Sequence, residues 1–293
     1  MDTQSLFKYI SFCAPEVVSA ENMQEKYLQE MRVKGFENGE IWYPKASNLN
    51  DPYECYPDFV LNEEDIEQIV DSLTPEEFIF IKRKSKVDSK KKILKAWKTP
   101  DLIRIPAIAG TPVISTEFIH RPLFLAIISA LSTHYLSKIG ILSLTTNPLD
   151  VRMWAHYGGN STGICIEFER TGENALGSKS TLPVTYAKFR KKFNFHERHS
   201  RKEEIITTKS VAWSDEEEWR HWEDQGDKLY PFPGKILRVM FGLNCNPNTI
   251  EITKSIFGKD VDFEEVLLGS DYTLSTDKGL RHSLSRVEIK WPI

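Results

Sequence analysis

The strongest concentration of chemically useful side chains lies late in the chain. There Trp213 is followed by the acidic and basic residues Glu216, Glu218 and Arg220. An extended backbone would place these last three residues on one face and Trp219 on the opposite face. Two carboxylates beside a guanidinium could orient a ribose hydroxyl or stabilise a developing positive charge. The alternative interpretation is an ion-pair strip on the protein surface.

A second cluster combines aromatic rings with a histidine. Trp154, His156 and Tyr157 come shortly before Gly163–Phe168, which alternates as a strand does. Such a triplet offers stacking surfaces and a titratable hydrogen-bonding group. We predict a catalytic role for His156 and ligand contacts for the two aromatic residues. A satisfied structural histidine is the alternative.

Two smaller clusters occur near the start of the chain. Lys8 and Tyr9 are adjacent, and Asn50-Asp51-Pro52 forms a turn signal. Proline restricts its own backbone and that of the preceding residue, so Asn50 and Asp51 can be held to cap a helix or bind a ligand. An ordinary turn remains the alternative for that segment.

The elements around these clusters predict an α+β fold in a single domain, residues 1–293. Helical patterns come early and short strands come late, which differs from a repeating βαβ order. Residues 62–139 are predicted to be a largely helical insertion, with a capping box starting at Thr74. The predicted strands are Ile41–Tyr43, Ile141–Leu144, Gly163–Phe168, Leu182–Tyr186, Ile236–Phe241, Phe263–Leu267 and Arg286–Trp291, and a helix is predicted at Asn248–Phe257.

Composition restricts the classes of function. With 38 Lys and Arg against 42 Asp and Glu, the net charge of -4 disfavours broad electrostatic binding to nucleic acid. The one dense basic run, Lys82–Lys92, is interpreted as a solvated helical face or a local polyanion contact. Four scattered cysteines suggest neither disulfides nor a metal site. No leader or membrane span is evident, so we expect a cytoplasmic protein without membrane contact.

Taken in order, these clusters resemble a widespread bacterial family known as domain of unknown function 2971. The resemblance extends from about residue 6 to about residue 270. Two positions depart from the family pattern, since an Arg commonly stands at Ile10 and an aromatic residue at Asp215. The matching residues are Lys8-Tyr9, Gly39–Trp42, Asn50–Glu54, Met153–Tyr157, Gly163–Ile166, Lys209–Trp213 and Glu216–Arg220.

The same order of clusters is more distantly similar to the ADP-ribosyltransferases. That resemblance implies NAD as a substrate, with an N-terminal strand seating it and a late glutamate contacting the ribose. It implies catalytic roles for Glu218 and Glu216, to which we add His156. The residues assigned to cofactor binding are Lys8, Tyr9, Asn50, Asp51, Trp154, Tyr157, Trp213 and Arg220.

Two other functions remain open. One is a metal-dependent nucleic-acid enzyme in which Asp51, Glu54, Glu216 and Glu218 converge on Mg²⁺. The other is a non-catalytic module that binds a nucleotide or a partner. For the transferase we expect no metal, a nucleotide ligand, and a protein or nucleic-acid acceptor. Families of this kind often lie near mobile or defence genes, which suggests a conflict or antiphage effector.

Overall fold

The computed structural model describes residues 5–51, 53–55, 57–60, 66–85, 89–92, 94, 138–269 and 271–278. Their fold is α+β, as predicted. None of the helices within these ranges is long and apolar enough to cross a membrane. The helices are α1 Met23–Glu37, α2 Ile66–Asp71, α3 Pro75–Ser85, α4 Val151–His156, α5 Lys202–Ile206 and α6 Pro247–Phe257. The strands are β1 Ser5–Ile10, β2 Glu40–Tyr43, β3 Asp58–Val60, β4 Gly140–Thr145, β5 Ile164–Glu169, β6 Thr181–Pro183, β7 Thr185–Ala187, β8 Lys192–Asn194, β9 Thr208–Ser210, β10 Glu218–Glu223, β11 Lys228–Pro231, β12 Ile236–Phe241, β13 Asp262–Leu268 and β14 Leu274–Thr276.

The central sheet has the strand order β14-β13-β12-β5-β1-β4-β10-β6. Its neighbouring strands are antiparallel except for β12 and β13, which are parallel. Strand β1 pairs with β5 along its whole length, from Ser5 to Ile10. It pairs with β4 only through Phe7 and Thr145. The middle of the sheet is therefore much less tightly joined on the β4 side of β1.

Strand β1 is covered on both faces, which explains why its sequence lacks an amphipathic alternation. Leu6 and Ile10 belong to the larger apolar core. Phe7 and Tyr9 face a second core that contains Trp154, whose ring lies edge-on to Tyr9 at 5.1 Å between centroids. The first polar-aromatic cluster of the sequence is thus an element of the sheet and not an irregular segment.

Most of the predicted late strands are present with shifts of one residue at their ends. The prediction for Leu182–Tyr186 differs, because this segment forms the ends of two strands, β6 and β7. Pro183 has no N–H to continue the ladder, and the amide of Val184 instead donates to the Glu218 carbonyl at 2.8 Å. The predicted strand at Arg286–Trp291 lies outside the described residues.

The predicted helical insertion, residues 62–139, is described only in part. Helices α2 and α3 lie in it, and the capping box at the start of α3 is present. The Thr74 amide donates to Glu77 Oε2 at 2.9 Å, and the Glu77 amide donates to Thr74 Oγ1 at 3.2 Å. Most of the rest of the insertion lies outside the described ranges. The single-domain arrangement stays a prediction.

This capping box gives a prediction of moderate size. Thr74→Ala removes the acceptor for the Glu77 amide and should lower the free energy of unfolding by about 1 kcal/mol. Thr74→Ser keeps the hydroxyl and should change it by less than about 0.5 kcal/mol. Urea unfolding of both variants beside wild type measures the difference. Equal stabilities for the two variants would contradict a capping role for the hydroxyl.

Candidate functional site

A buried ion cluster is centred on Lys209 of strand β9. Its ammonium lies 3.0 Å from Glu54 Oε1 and 2.9 Å from Glu218 Oε2. The nearest oxygen of Glu216 lies 2.5 Å away. All four residues are at most 8% exposed. A lysine at this depth is tolerated because each of its donors can meet a carboxylate.

A second cation completes the cluster. Arg220 is fully buried and binds Glu218 with two nitrogens, Nε at 2.8 Å and Nη2 at 3.0 Å. The same guanidinium also contacts Glu54 and donates to the carbonyl of Ile206. Three carboxylates therefore face two cations. When all five groups are ionised, the cluster holds one excess negative charge.

The local backbone explains how two nearby glutamates reach one ammonium. A 3₁₀ turn, Val211–Glu216, begins at Ser210, whose hydroxyl accepts from the Ala212 amide. Glu217 then adopts a left-handed conformation with φ +46°, which is uncommon for a residue with a side chain. This turn directs the side chains of Glu216 and Glu218 to the same side, although strand β10 begins only at Glu218.

The charges in the cluster shift the pKa values of its members. Burial alone would raise the pKa of Glu218, but Arg220 and then Lys209 lower it to about 2. Burial would lower the pKa of Lys209, but the carboxylates of Glu218 and Glu54 raise it instead. Burial raises the pKa of Glu54 despite the neighbouring Arg220. Glu218 is thus firmly ionised near neutral pH, whereas Glu54 takes up a proton more readily.

A cavity of about 250 Å³ opens beside this cluster, and we call it the cleft. Residues of β1 and β4 line it at the place where these strands are least paired, and the Lys209 cluster forms part of its wall. Tyr157 also lines the cleft and donates its hydroxyl to Glu216 Oε1 at 2.6 Å. That hydroxyl accepts from Asn50 Nδ2 at 2.9 Å, so the Tyr157 ring is held in one orientation.

Lys8 is a further cation on the cleft wall. Its side chain is partly buried, and desolvation lowers its pKa to about 8, although the Glu218 carboxylate opposes this shift. Lys8 thus differs from Lys209, whose charge is fixed by three carboxylates. Near neutral pH, Lys8 is charged but close to its titration range.

The structure brings together about half of the predicted site residues. Those lining the cleft are Lys8, Tyr9, Asn50, Tyr157, Glu216 and Glu218. Arg220 lies directly behind Glu218, and Trp213 lies with its ring centroid 5.1 Å from the Lys209 ammonium. Asp51 is buried and lines a neighbouring cavity.

Two predicted residues lie away from the cleft. Trp154 is fully buried in the apolar core, where its indole nitrogen donates to the Pro148 carbonyl at 3.0 Å. His156 is exposed at the end of α4, and its ring centroid is 6.3 Å from that of Tyr157. Neither residue lines the cleft. Their assigned roles therefore remain predictions without support from position.

Sequence reasoning missed the two residues that join the cluster together. Lys209 belongs to the family resemblance but not to the predicted cofactor site, and Glu54 enters only the metal-dependent alternative. A lysine in a short strand, seven and nine residues before two glutamates, is a weak signal by itself. Only the contact of Glu54 with Lys209, from a distant part of the chain, reveals the centre.

The carboxylates predicted to converge on Mg²⁺ surround an ammonium instead. Lys209 occupies the point shared by Glu54, Glu216 and Glu218. Asp51 Oδ1 accepts from the Tyr53 amide at 2.9 Å. In the part of the chain that the structure describes, no group of three or more His, Cys, Asp or Glu residues is arranged to hold a metal ion.

Comparison with known proteins gives one finding. Residues 153–221 match the family described as protein of unknown function (DUF2971). This segment includes most of α4 and the residues Tyr157, Lys209, Glu218 and Arg220. The predicted DUF2971 resemblance is confirmed over this segment. The segment is less than half of the chain, and it contains one side of the cleft and most of the ion cluster. No curated protein and no solved structure matches the chain.

Proposed function

We propose that the DUF2971 segment and strand β1 form the active site of an NAD-consuming, ADP-ribosyltransferase-like enzyme. In the proposed reaction the bond between nicotinamide nitrogen and ribose C1′ breaks, and its electron pair leaves with nicotinamide. A new bond forms between C1′ and a nucleophile of an acceptor or water, which releases a proton. The carrying observation is the buried, ionised carboxylate of Glu218 at the cleft wall, held there by Lys209 and Arg220.

That charge suits the transition state of this reaction. Positive charge develops on the ribose as nicotinamide leaves, and fixed negative groups in a water-poor site stabilise it. Glu218 supports this role because it is buried, ionised and held by both Arg220 and Lys209. These two cations orient its carboxylate, and the carboxylates of Glu54 and Glu216 contact the Lys209 ammonium beside it.

The remaining cleft wall suits the other parts of the ligand. Phe7, Tyr9, Met153 and Tyr157 provide apolar and aromatic surface for a flat ring. Lys8 provides a cation for a phosphate. A volume of about 250 Å³ lies just below the roughly 300–1,000 Å³ of common ligand sites. Because the cleft is smaller than most ligand sites, we infer that it holds the nicotinamide and its ribose. The rest of the NAD molecule would extend outside it.

Incubation of the purified protein with labelled NAD tests the proposal directly. Nicotinamide release and label transfer are followed with and without bacterial lysate, which supplies acceptors. Release above a no-protein control is the expected result. Saturable binding of NAD with no release under any condition would replace the enzyme with a nucleotide-binding module. Cleavage of nucleic acid that stops on chelation would replace it with the metal-dependent alternative.

The lowered pKa of Lys8 predicts a pH effect on substrate binding. As pH rises through about 8, Lys8 loses its charge and its attraction for phosphate. The KM for NAD should therefore rise between about pH 7 and about pH 9, with a smaller change in kcat. Lys8→Arg keeps its charge over this range and should give a flatter KM profile. Identical profiles for wild type and variant would remove Lys8 from ligand binding.

A further inference from the structure

A second cavity, which we call the side cavity, lies on the other side of the ion cluster. Its volume is about 230 Å³, and it shares Glu54 and Lys209 with the cleft. One wall is the segment 188–191, which connects β7 to β8. Neither the family match nor the proposed NAD cleavage assigns a ligand to this cavity.

The mouth of the side cavity carries two exposed aromatic rings. Phe189 is 78% exposed and Tyr53 is 66% exposed. The Lys188 ammonium lies 5.6 Å from the centre of the Phe189 ring, and the Arg190 guanidinium lies 5.8 Å from the centre of the Tyr53 ring. Large rings in water are favourable places for a flat ligand to stack, because stacking removes apolar surface from solvent.

The segment between β7 and β8 is also strongly basic. Lys188, Arg190 and Lys191 all line the side cavity. Lys191 is paired with Glu204 at 3.0 Å, whereas Lys188 and Arg190 are exposed. Two carboxylates, those of Asp51 and Glu54, also line the cavity. Glu54 already contacts Lys209 and Arg220 in the interior. The mouth is therefore positive, although the chain as a whole carries a net charge of -4. Cations interleaved with exposed rings are the pattern that binds phosphates and bases together.

We propose that the side cavity binds a nucleoside phosphate, with the base on Phe189 or Tyr53 and the phosphate at Lys188 and Arg190. The volume of about 230 Å³ is smaller than the roughly 300–1,000 Å³ of common ligand sites, so the side cavity holds only part of such a ligand. Two sources share this chemistry, a free nucleotide and a single strand of nucleic acid. Binding at this site is independent of NAD cleavage and can be measured without turnover.

The test is a pair of titrations of the whole chain, one with fluorescent ADP and one with labelled single-stranded DNA of about ten nucleotides. At least one probe should bind saturably. Phe189→Ala and Arg190→Ala should each weaken that binding by about ten-fold, since base stacking and phosphate pairing each contribute at this level. Tyr27→Ala and Lys259→Ala remove an exposed ring and an exposed cation elsewhere and should leave affinity unchanged.

The outcomes separate the two sources and can overturn the site. Stronger binding of ADP identifies a free nucleotide, and binding of the DNA strand alone identifies a nucleic-acid ligand. Absence of binding by both probes would overturn the proposal, as would equal affinities for wild type, Phe189→Ala and Arg190→Ala. Since Glu218 does not line the side cavity, loss of NAD cleavage in a Glu218 variant with unchanged probe binding would separate the two sites.

Discussion

Lys209→Met should lower the free energy of unfolding by about 3–5 kcal/mol at neutral pH. Methionine fills a similar volume but removes the ammonium that touches Glu54, Glu216 and Glu218. Glu54 and Glu218 would then face Arg220, and Glu216 would keep its hydrogen bond from the Tyr157 hydroxyl. The loss measures mainly the cost of unpaired buried charge and not the net contribution of the ion pairs, since burying the pairs is itself costly.

Lys45→Met provides the matched control for this substitution. Lys45 forms an ion pair with Asp227 at 2.8 Å, but the two side chains are 40% and 32% exposed. Its loss should cost less than about 1 kcal/mol, because water already screens the pair. Chemical denaturation of both variants beside wild type gives the comparison. A cost for Lys209→Met as small as that for Lys45→Met would show that the Lys209 cluster is accessible to water.

Glu218→Gln should lower kcat/KM for NAD cleavage by about 10²–10³-fold. The amide keeps the shape of the side chain but removes the negative charge that supports the developing ribose cation. This expectation depends on the proposed function, and it is measured as nicotinamide release per unit of folded protein. The variant should also be less stable than wild type, because Lys209 and Arg220 both lose a charged partner.

The residue that precedes Glu218 in the chain provides the control for the loss of a negative charge. Glu217 is exposed, and its Oε2 accepts from the Thr146 hydroxyl at 2.6 Å. Glu217→Gln should retain activity within about two-fold, since its charge is screened by water. Thermal unfolding of both variants separates lost activity from lost folding. Full activity in folded Glu218→Gln would exclude this carboxylate from the reaction.

The sheet could be predicted largely from sequence where its strands are short apolar runs between turn signals. Strands β4, β5, β12 and β13 and helix α6 follow such patterns. Helix α1 was missed, because Met23, Tyr27 and Leu28 are exposed and give no single apolar face. Strand β1 is predicted only through the resemblance to the ADP-ribosyltransferases, because burial on both faces removes the alternation that identifies a strand.

The candidate site was predictable only in its local part. The alternation of side chains along a strand correctly predicts that Glu218 and Arg220 share one face and that Trp219 lies on the other, since these residues belong to β10. The meeting of Lys209 with Glu54 depends on contacts between residues more than a hundred positions apart. No local pattern in the sequence encodes such a long-range contact. For the same reason, the side cavity was not foreseen.

The central place of β1 affects how the chain folds during synthesis. Leu6 is made 162 residues before Phe168, its pairing partner in the sheet. At about 5–20 residues per second, a ribosome needs on the order of ten seconds to supply that partner. An apolar strand with free edges is prone to aggregate during such a delay. A charge within an apolar run lowers its tendency to aggregate, and Lys8, which lines the cleft, is the one charged residue of β1.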